Sequence, residues 1–391
     1  AAPTFTTAGT AINFDGGTIK LSDGSDLTVN SVGGAISIAA IGGASDETVT
    51  LNANDAANAN PDSTTETVTL GAVGDTSQTE IHNLTVSADD GITLTGAIYT
   101  SDHASDGSKG DIVFNDAVKV NGTVVVDSEN GIITFSTSID GNDGTNDDLT
   151  IDGGTGAITL QAIGANTALS SLNINTDSNS TANLTLPNIG STNAGVTGTV
   201  NVGNSATNKL TLSGTVYNTD NTQTYTAKTG GGNIDITGAA TFTTSADNIE
   251  FATSGVDLSA NVTITTGTGT NIGDVDFGGA IETDNGSRTL TITSGAGDVT
   301  FSKAIGLTNS LGGLSINAAN GDGDIIFTKD VGDTSAGVSG TTTVGNSSTN
   351  QIRFLEDTYT FGGGVTTFTT ATGDKIKLEK TAATTFTPAG T

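Results

Sequence analysis

The chain has 391 residues, of which 34% are hydrophobic and only 4% aromatic, and it contains 54 Gly but no Cys, Met or Trp. Its 42 acidic and 12 basic residues give a net charge of −30, which argues against nucleic acid and anionic membranes as partners because both bind basic surfaces. The absence of Cys excludes a disulfide scaffold and a thiolate metal site, and no apolar stretch is long enough to insert into a bilayer.

The chain opens on the sequence AAPTF without an initiator Met, which is consistent with a removed signal peptide or an excised fragment. We therefore expect an exported, extracellular protein. A chain this acidic repels its own copies, so assembly would need cations to screen or bridge the carboxylates. Calcium is the obvious extracellular candidate.

A short motif recurs along the chain: an apolar pair one residue apart, a Gly-rich turn, a second apolar pair, and an Ile or Val near a Gly. An apolar–polar–apolar triplet predicts a short strand with one buried face, and Gly, Asn, Asp and Ser supply the sharp turns between strands. Neighbouring copies start at Val124, Leu149 and Leu172, which are 25 and 23 residues apart. The clearest copies occupy residues 27–42, 84–98, 149–164, 290–306 and 314–332.

Three such strands in about two dozen residues predict one coil of a parallel β-helix, and coils stacked at about 4.8 Å would form about 16 coils and a rod on the order of 80 Å. We predict an all-β fold in which residues 1–391 form a single continuous β-solenoid, because each coil buries its apolar face only against its neighbours. Tandem β-sandwich modules are the alternative. Modules of roughly 100 residues explain the observed spacing poorly.

A longer repeat is superimposed on the short one. Residues 194–208 read AGVTGTVNVGNSATN and residues 336–350 read AGVSGTTTVGNSSTN, with 11 of 15 positions identical at an offset of 142. The similarity extends weakly over residues 149–232 and 290–378. Self-similarity at a fixed offset is typical of stacked repeat architectures.

A Thr-Phe-Thr motif begins at Thr4, Thr241, Thr367 and Thr385, so the last residues repeat the motif that opens the chain. We expect its phenylalanines to stack as an internal ladder formed by Phe5, Phe242, Phe368 and Phe386. Matching ends also predict either a piece cut from a longer array or a subunit that stacks head to tail, because a free strand edge can pair with another chain. The predicted assembly residues are Thr4, Phe5, Phe14, Ile376, Leu378 and Phe386.

The densest acidic cluster spans residues 140–148, DGNDGTNDD. Oxygen-bearing side chains alternating with Gly on a tight turn are typical of a Ca²⁺ loop, although a solvated turn between coils explains the same pattern. The predicted calcium ligands are Asp140, Asn142, Asp143, Asn146 and Asp148, and calcium is the one cofactor that the sequence suggests. Asp106 with Asp111, and Asp322 with Asp324, are weaker versions of this pattern.

No catalytic residue is predicted. The two histidines, His82 and His103, lie in dissimilar contexts with no Ser or acid placed beside them, so each is expected to be a loop residue. Paired carboxylates at residues 147–148 and the Asn-Thr-Asp at 218–220 resemble fragments of polygalacturonase motifs, but the accompanying Gly-His-Gly and Arg-x-Lys segments are missing. We therefore expect a non-enzymatic protein.

Two other functions are weaker alternatives. An ice-binding protein would need one flat Thr face, whereas Thr is spread over the strands of most coils and loops of varied length separate them; Thr is in any case a good β-former. A carbohydrate-binding adhesin would need exposed aromatic side chains, and its tyrosines could come only from Tyr99, Tyr217, Tyr225 and Tyr359.

The short copies, especially GAGDVTFSKAIG followed by a Leu-x-Ile strand, resemble the β-strand repeats of large secreted bacterial exoproteins of the filamentous-haemagglutinin type. The resemblance implies a right-handed β-helical rod on the cell surface or outside the cell, used in adhesion, biofilm or surface layers. The amino-terminal secretion-domain signature of the two-partner group is not evident. We expect the chain to bind copies of itself, and host or surface glycans as an adhesin, in a fibre, surface layer or adhesin stalk.

Overall fold

Short β-branched triplets form the strands of this protein, because alternating side chains point to opposite faces and the apolar ones turn inward. The computed structural model describes residues 2–54, 66–74, 80–103, 107–268, 270, 272–335, 337–380 and 385–388. Over these residues the fold is all-β, without a helix, and its parallel strands stack in about 14 coils of a β-solenoid. The predicted fold class is confirmed, and the β-sandwich alternative is wrong because every described strand pair is parallel.

The chain divides into two compact units, unit 1 (residues 1–185 and 195–197) and unit 2 (residues 186–194 and 198–391), and β18 (Leu184–Leu186) contains the division. That residues 1–391 form one continuous solenoid stays a prediction. The strands of unit 1 are β1 (Thr4–Thr6), β2 (Ile12–Lys20), β3 (Leu27–Asn30), β4 (Ile36–Gly42), β5 (Thr48–Asn52), β6 (Val68–Val73), β7 (Asn83–Ser87), β8 (Ile92–Leu94), β9 (Ile98–Tyr99), β10 (Ile112–Phe114), β11 (Val118–Val120), β12 (Thr123–Asp127), β13 (Ile133–Phe135), β14 (Ile139–Gly141), β15 (Asp148–Asp152), β16 (Ile158–Thr159) and β17 (Ser171–Ile174).

Unit 2 is built from parallel strands of the same kind, which are on average shorter. They are β19 (Val200–Val202), β20 (Leu210–Leu212), β21 (Val216–Asn218), β22 (Gln223–Thr226), β23 (Ile234–Ile236), β24 (Thr241–Thr243), β25 (Ile249–Ala252), β26 (Val256–Leu258), β27 (Val262–Gly267), β28 (Val275–Phe277), β29 (Ile281–Thr283), β30 (Thr289–Ser294), β31 (Val299–Phe301), β32 (Gly313–Ile316), β33 (Ile325–Phe327), β34 (Thr342–Val344), β35 (Gln351–Phe354), β36 (Thr358–Phe361), β37 (Thr366–Phe368), β38 (Lys375–Leu378) and β39 (Thr385–Pro388).

The core of unit 1 consists of aliphatic ranks in which one side chain lies above the next. In one rank Leu27 pairs with Val49, Val49 with Leu84, and Leu84 with Ile112, and all four side chains are fully or almost fully buried. The offset between paired strands ranges from 21 residues (Ile112 to Ile133) to 35 (Val49 to Leu84). Because loops of variable length lie between the strands, the chain makes fewer coils than the 16 that a uniform spacing predicts.

The core of unit 2 contains an aromatic ladder. Six rings stack nearly parallel, with neighbouring centroids 5.0–5.5 Å apart and interplanar angles of 5–23°. Offset-stacked pairs at this distance each stabilise a core by about 0.5–1.5 kcal/mol beyond the burial of their area. The ladder residues are Tyr225, Phe251, Phe277, Phe301, Phe327 and Phe354.

The predicted ladder of Thr-Phe-Thr phenylalanines is therefore wrong. Phe242 stacks on Tyr217 at 4.7 Å instead, and Phe5 contacts Phe14 edge-on at 5.2 Å. Phe368 and Phe386 lie on strands with different partners and meet only edge-on at 6.5 Å. Phe5 and Phe386 are also 44% and 39% exposed, so they are not internal.

The long repeat has a structural counterpart in the turn GNSxTN. In the first copy the Thr207 hydroxyl accepts from the backbone N–H of Asn204 at 3.0 Å, and in the second Thr349 accepts from Asn346 at 2.9 Å. Both asparagine side chains accept a second backbone N–H two residues on, at 2.6 Å. Such self-capped turns satisfy their own backbone groups, so the same residues build the same corner wherever they recur.

Candidate functional site

The first strands of unit 1 leave apolar side chains uncovered. Phe5 on β1 is 44% exposed, whereas Val29, its partner on β3, is fully buried. Phe14 on β2 is half-buried, and its partner Ile38 on β4 is buried. Thr4 is exposed beside Phe5. Each of these two strands has a neighbour on one side only among the described strands, so one edge of each ladder is open.

The last strands of unit 2 show the same pattern more strongly. Ile376 and Leu378 on β38 are 47% and 51% exposed, although their partners Ile352 and Phe354 on β35 are fully buried. Phe386 on β39 pairs with the buried Tyr359. All six predicted assembly residues thus lie on strands that have a single described neighbour. Their role in assembly stays a prediction.

Three of the predicted calcium ligands accept hydrogen bonds from neighbouring protein groups. Asp140 accepts from the backbone N–H and side-chain amide of Asn166 at 2.9 and 3.0 Å, while Asp148 on β15 accepts from the Ser171 hydroxyl at 2.6 Å. Asp143 accepts from the backbone N–H and hydroxyl of Thr145, which lowers the pKa of its carboxyl. These contacts hold each carboxylate on the protein.

A residue that sequence reasoning left out organises this loop. Asp147 is buried, and its carboxylate accepts the backbone N–H groups of Asp143 and Gly144 at 3.0 and 2.9 Å. Asn146 in the same loop has a positive φ of 58°. Within the described ranges, no three His, Asp or Glu side chains form a group that could hold a metal ion. Calcium binding at residues 140–148 stays a prediction.

The two weaker acidic pairs differ in where the structure places them. Asp106 lies outside the described residues, and Asp111 accepts the backbone N–H of Ile132 at 2.8 Å. Asp322 and Asp324 line a shallow, open groove of about 540 Å³ in unit 2 with Asp298 and Asp374. This groove follows a ladder of carboxylates.

In that ladder, carboxylates stack one coil above another. The backbone N–H of Asp298 donates to Asp274 at 2.8 Å, and that of Asp324 donates to Asp298 at 2.8 Å. Asparagines occupy both ends, with Asn248 accepting from the Asp274 N–H and Asn350 donating to Asp324. Burial, with the charges of Asp324 and Asp274, raises the pKa of the Asp298 carboxyl.

We expect Asp298→Asn to stabilise unit 2 at pH 7, because the amide oxygen can still accept the Asp324 N–H while the like-charge repulsion disappears. A carboxyl whose folded pKa is raised above its ordinary 3.8 binds more protons when folded, so wild-type stability falls as the pH rises through that folded pKa. Thermal melts from pH 7 to pH 4 should therefore show the two proteins converging towards the acidic end. A variant less stable than the wild type at pH 7 would contradict this account.

The two histidines come together, which the sequence did not indicate. Their rings meet edge-on at 5.1 Å, with His103 Nδ1 3.5 Å from an Asp46 carboxylate oxygen. The buried His82 has its Nε2 3.2 Å from the Ser108 hydroxyl and its Nδ1 3.1 Å from the backbone oxygen of Ser101. The expectation that no Ser or acid lies beside them is wrong. No carboxylate orients His82 in the contacts described, so a Ser-His-Asp triad is not formed.

The tyrosine side chains offer little surface to a glycan. Tyr217, Tyr225 and Tyr359 are fully buried, and Tyr99 is half-buried. The hydroxyl of Tyr217 donates to the backbone oxygen of Leu186 at 3.0 Å inside unit 2. Three of the four tyrosines proposed for a carbohydrate groove are thus core residues.

Comparison with known protein families, with curated proteins and with solved structures found no match. Among the described residues there is also no helix of the length and apolar character that a membrane span requires.

Proposed function

We propose that this protein is a non-enzymatic structural component of an extracellular fibre, surface layer or adhesin stalk of a bacterium, and that its terminal strands stack head to tail on those of another copy. One observation carries the proposal: apolar side chains on the terminal strands are about half exposed where their partners one coil away are fully buried. A second copy would cover them with the next coil.

Charge supports a head-to-tail arrangement. Residues 374–391 contain two acidic residues and three lysines, which gives this segment a net charge of +1 in a chain whose net charge is −30. The charged residues are Asp374, Lys375, Lys377, Glu379 and Lys380. Residues 2–26 hold three Asp and one Lys, a net charge of −2. Opposite charges on the two ends favour contact between different ends, whereas like ends repel each other.

The exposed apolar surface is concentrated at these ends. Of the eight large apolar side chains that are exposed in the described part of the chain, five lie on or beside the terminal strands: Phe5, Val365, Ile376, Leu378 and Phe386. Exposed apolar side chains beside an unpaired strand edge favour the addition of another strand.

The test uses two variants, each of which disrupts the proposed interface at one end of the chain; we call them the blocked variants. Phe5→Glu and Ile376→Glu each place a charge in the proposed interface, and Ile272→Glu is the matched control because Ile272 is 68% exposed away from the terminal strands. At physiological ionic strength we expect filaments from the wild type and the control in negative-stain images, but monomers from either blocked variant. An equimolar mixture of the two blocked variants should form heterodimers, since one intact interface remains.

Sedimentation velocity of the same samples distinguishes monomer, dimer and filament, and circular dichroism checks that each variant is folded. A wild-type chain that stays monomeric at every concentration would overturn the proposal, as would filaments that survive both blocking variants. Repeating the experiment with a chelator tests the predicted role of calcium in assembly.

A further inference from the structure

Unit 2 carries a regular array of hydroxyl groups on one sheet face. Register pairs Thr241 with Thr263, Thr263 with Thr291, and continues coil by coil. A second rank lies two residues further along the first three strands. We call this surface the hydroxyl face; it comprises Thr241, Thr263, Thr291, Ser315, Thr343 and Thr367 in the first rank and Thr243, Thr265 and Thr293 in the second.

The spacing of the array follows from the backbone. Adjacent strands lie about 4.7–4.9 Å apart, and residues two apart on a strand are about 6.6–6.8 Å apart. The side chains of the hydroxyl face alternate with buried Phe242, Ile264 and Ile292, so they all point outward. Thr is β-branched and therefore stiff at χ1, which holds most of these hydroxyl and methyl groups in place.

The hydroxyl face is free of charge in a strongly acidic protein. Its six strands, β24, β27, β30, β32, β34 and β37, contain no Asp, Glu, Lys or Arg. Outward positions on other strands of unit 2 include charged residues, with Asp235, Asp257 and Glu282 in one stack and Glu250 and Asp276 in another. Thr also occupies outward positions in those stacks, at Thr211, Thr224 and Thr300, but there it stands beside charged residues. Because β-propensity would favour Thr on every strand alike, propensity does not explain why the strands of the hydroxyl face lack charge.

The hydroxyls also lack partners within the described part of unit 2. None of the nine makes a hydrogen bond to another protein group, whereas the Thr283 and Thr328 hydroxyls elsewhere in the unit bond backbone oxygens at 2.9 and 2.8 Å. In the middle of the face, Gly313 opens a shallow trough of about 460 Å³ between Thr289 and Thr341. The face therefore presents donors, acceptors and methyl groups to solvent at fixed intervals.

We propose that the hydroxyl face of unit 2 binds ice. A rigid, neutral lattice of hydroxyls and methyls orders its hydration water in rows, and hexagonal ice presents water oxygens in rows of comparable spacing. A neutral polysaccharide would need aromatic side chains to stack on. The strands β24, β27, β30, β32 and β34 of the hydroxyl face carry no exposed aromatic ring. A second copy would need exposed apolar area, and the large apolar side chains of these strands point inward.

Unit 1 lacks a comparably regular array of hydroxyl groups. There Thr28, Thr50 and Thr85 also stack in register, but Val113 interrupts the rank before Thr134. Its second rank contains Asn30 and Asn52, whose side-chain oxygens already accept backbone N–H groups. The proposal is therefore confined to unit 2.

The experiment measures thermal hysteresis and ice-crystal shape with the full chain carrying Ile376→Glu, so that failure of end-to-end assembly does not affect the result. In this background we expect faceted ice crystals and a measurable hysteresis gap. Thr291→Lys, in the centre of the face, should abolish both. Thr224→Lys is the matched control, because Thr224 points outward on β22, away from the hydroxyl face.

Circular dichroism and melting temperature confirm that both lysine variants fold. Unshaped ice crystals with the Ile376→Glu protein that retains Thr291 would overturn the proposal. Undiminished ice shaping and thermal hysteresis after Thr291→Lys would also overturn it. Binding to insoluble neutral polysaccharide in place of ice, abolished by the same variant, would also overturn it.

Discussion

Replacing Phe301 with Ala is expected to destabilise the surrounding coils of unit 2 by about 3–5 kcal/mol, the range for truncating a buried phenylalanine. Phe301 is almost completely buried and stacks on Phe277 at 5.4 Å and on Phe327 at 5.2 Å. The variant therefore leaves a cavity and removes two ring contacts at once. In a solenoid the loss acts on nearest neighbours, so the effect should be local.

Hydrogen exchange measures this locality. Amides of β28, β31 and β33 should exchange faster in Phe301→Ala, while those of β3, β5 and β7 in unit 1 serve as an internal reference. Ile272→Ala is the matched control: its side chain is 68% exposed, so we expect a change within about 0.5 kcal/mol. Equal acceleration of exchange in unit 1 would contradict nearest-neighbour stability, and unchanged exchange at β31 would contradict the ladder's role.

Gly156→Ala is expected to destabilise unit 1 by about 3 kcal/mol or more, at or above the usual range for overpacking. A Cβ at this position would lie 1.8 Å from the backbone oxygen of Gly131 and 2.5 Å from its carbonyl carbon. Gly131 is in turn as close to Gly110 one coil away, where an added Cβ would meet the Gly110 oxygen at 1.9 Å. Backbone stacks on backbone at this corner, so relief of the clash must separate the coils.

Chemical denaturation followed by circular dichroism tests the glycine prediction. Gly16→Ala is its matched control, because an added Cβ there meets nothing within 4 Å and the backbone is not left-handed. That control should be neutral or stabilising by about 0.4–1 kcal/mol through the unfolded state. Similar midpoints for Gly156→Ala and the wild type would show that the corner yields more easily than its geometry implies.

Local sequence carried enough information to predict the strands, the turns and their parallel stacking. Alternation in copies such as residues 27–42 and 290–306 determines which side chains turn inward, whatever the rest of the chain does. The GNSxTN turns at Gly203 and Gly345 have almost the same φ, 75° and 76°, because their hydrogen bonds close within the turn. For the candidate site, the same patterning was enough to place Ile376 and Leu378 on a terminal strand.

Register was beyond the reach of sequence reasoning. The identical Thr-Phe-Thr segments at β24 and β39 belong to different stacks of paired strands. The lengths of the intervening loops determine which stack each segment joins. For the same reason the structure, and not the motif, revealed the aromatic ladder, the meeting of His82 with Ser108, and the rank of hydroxyls on unit 2.

The sequence by itself determined which residues face the core, because that depends on a period of two residues within each strand. Only the tertiary structure decided which residues stand above one another. Partners such as Ile112 and Ile133, or Val49 and Leu84, are separated by 21 and 35 residues, and backbone hydrogen bonding between coils selects one alignment among many that preserve the same local pattern.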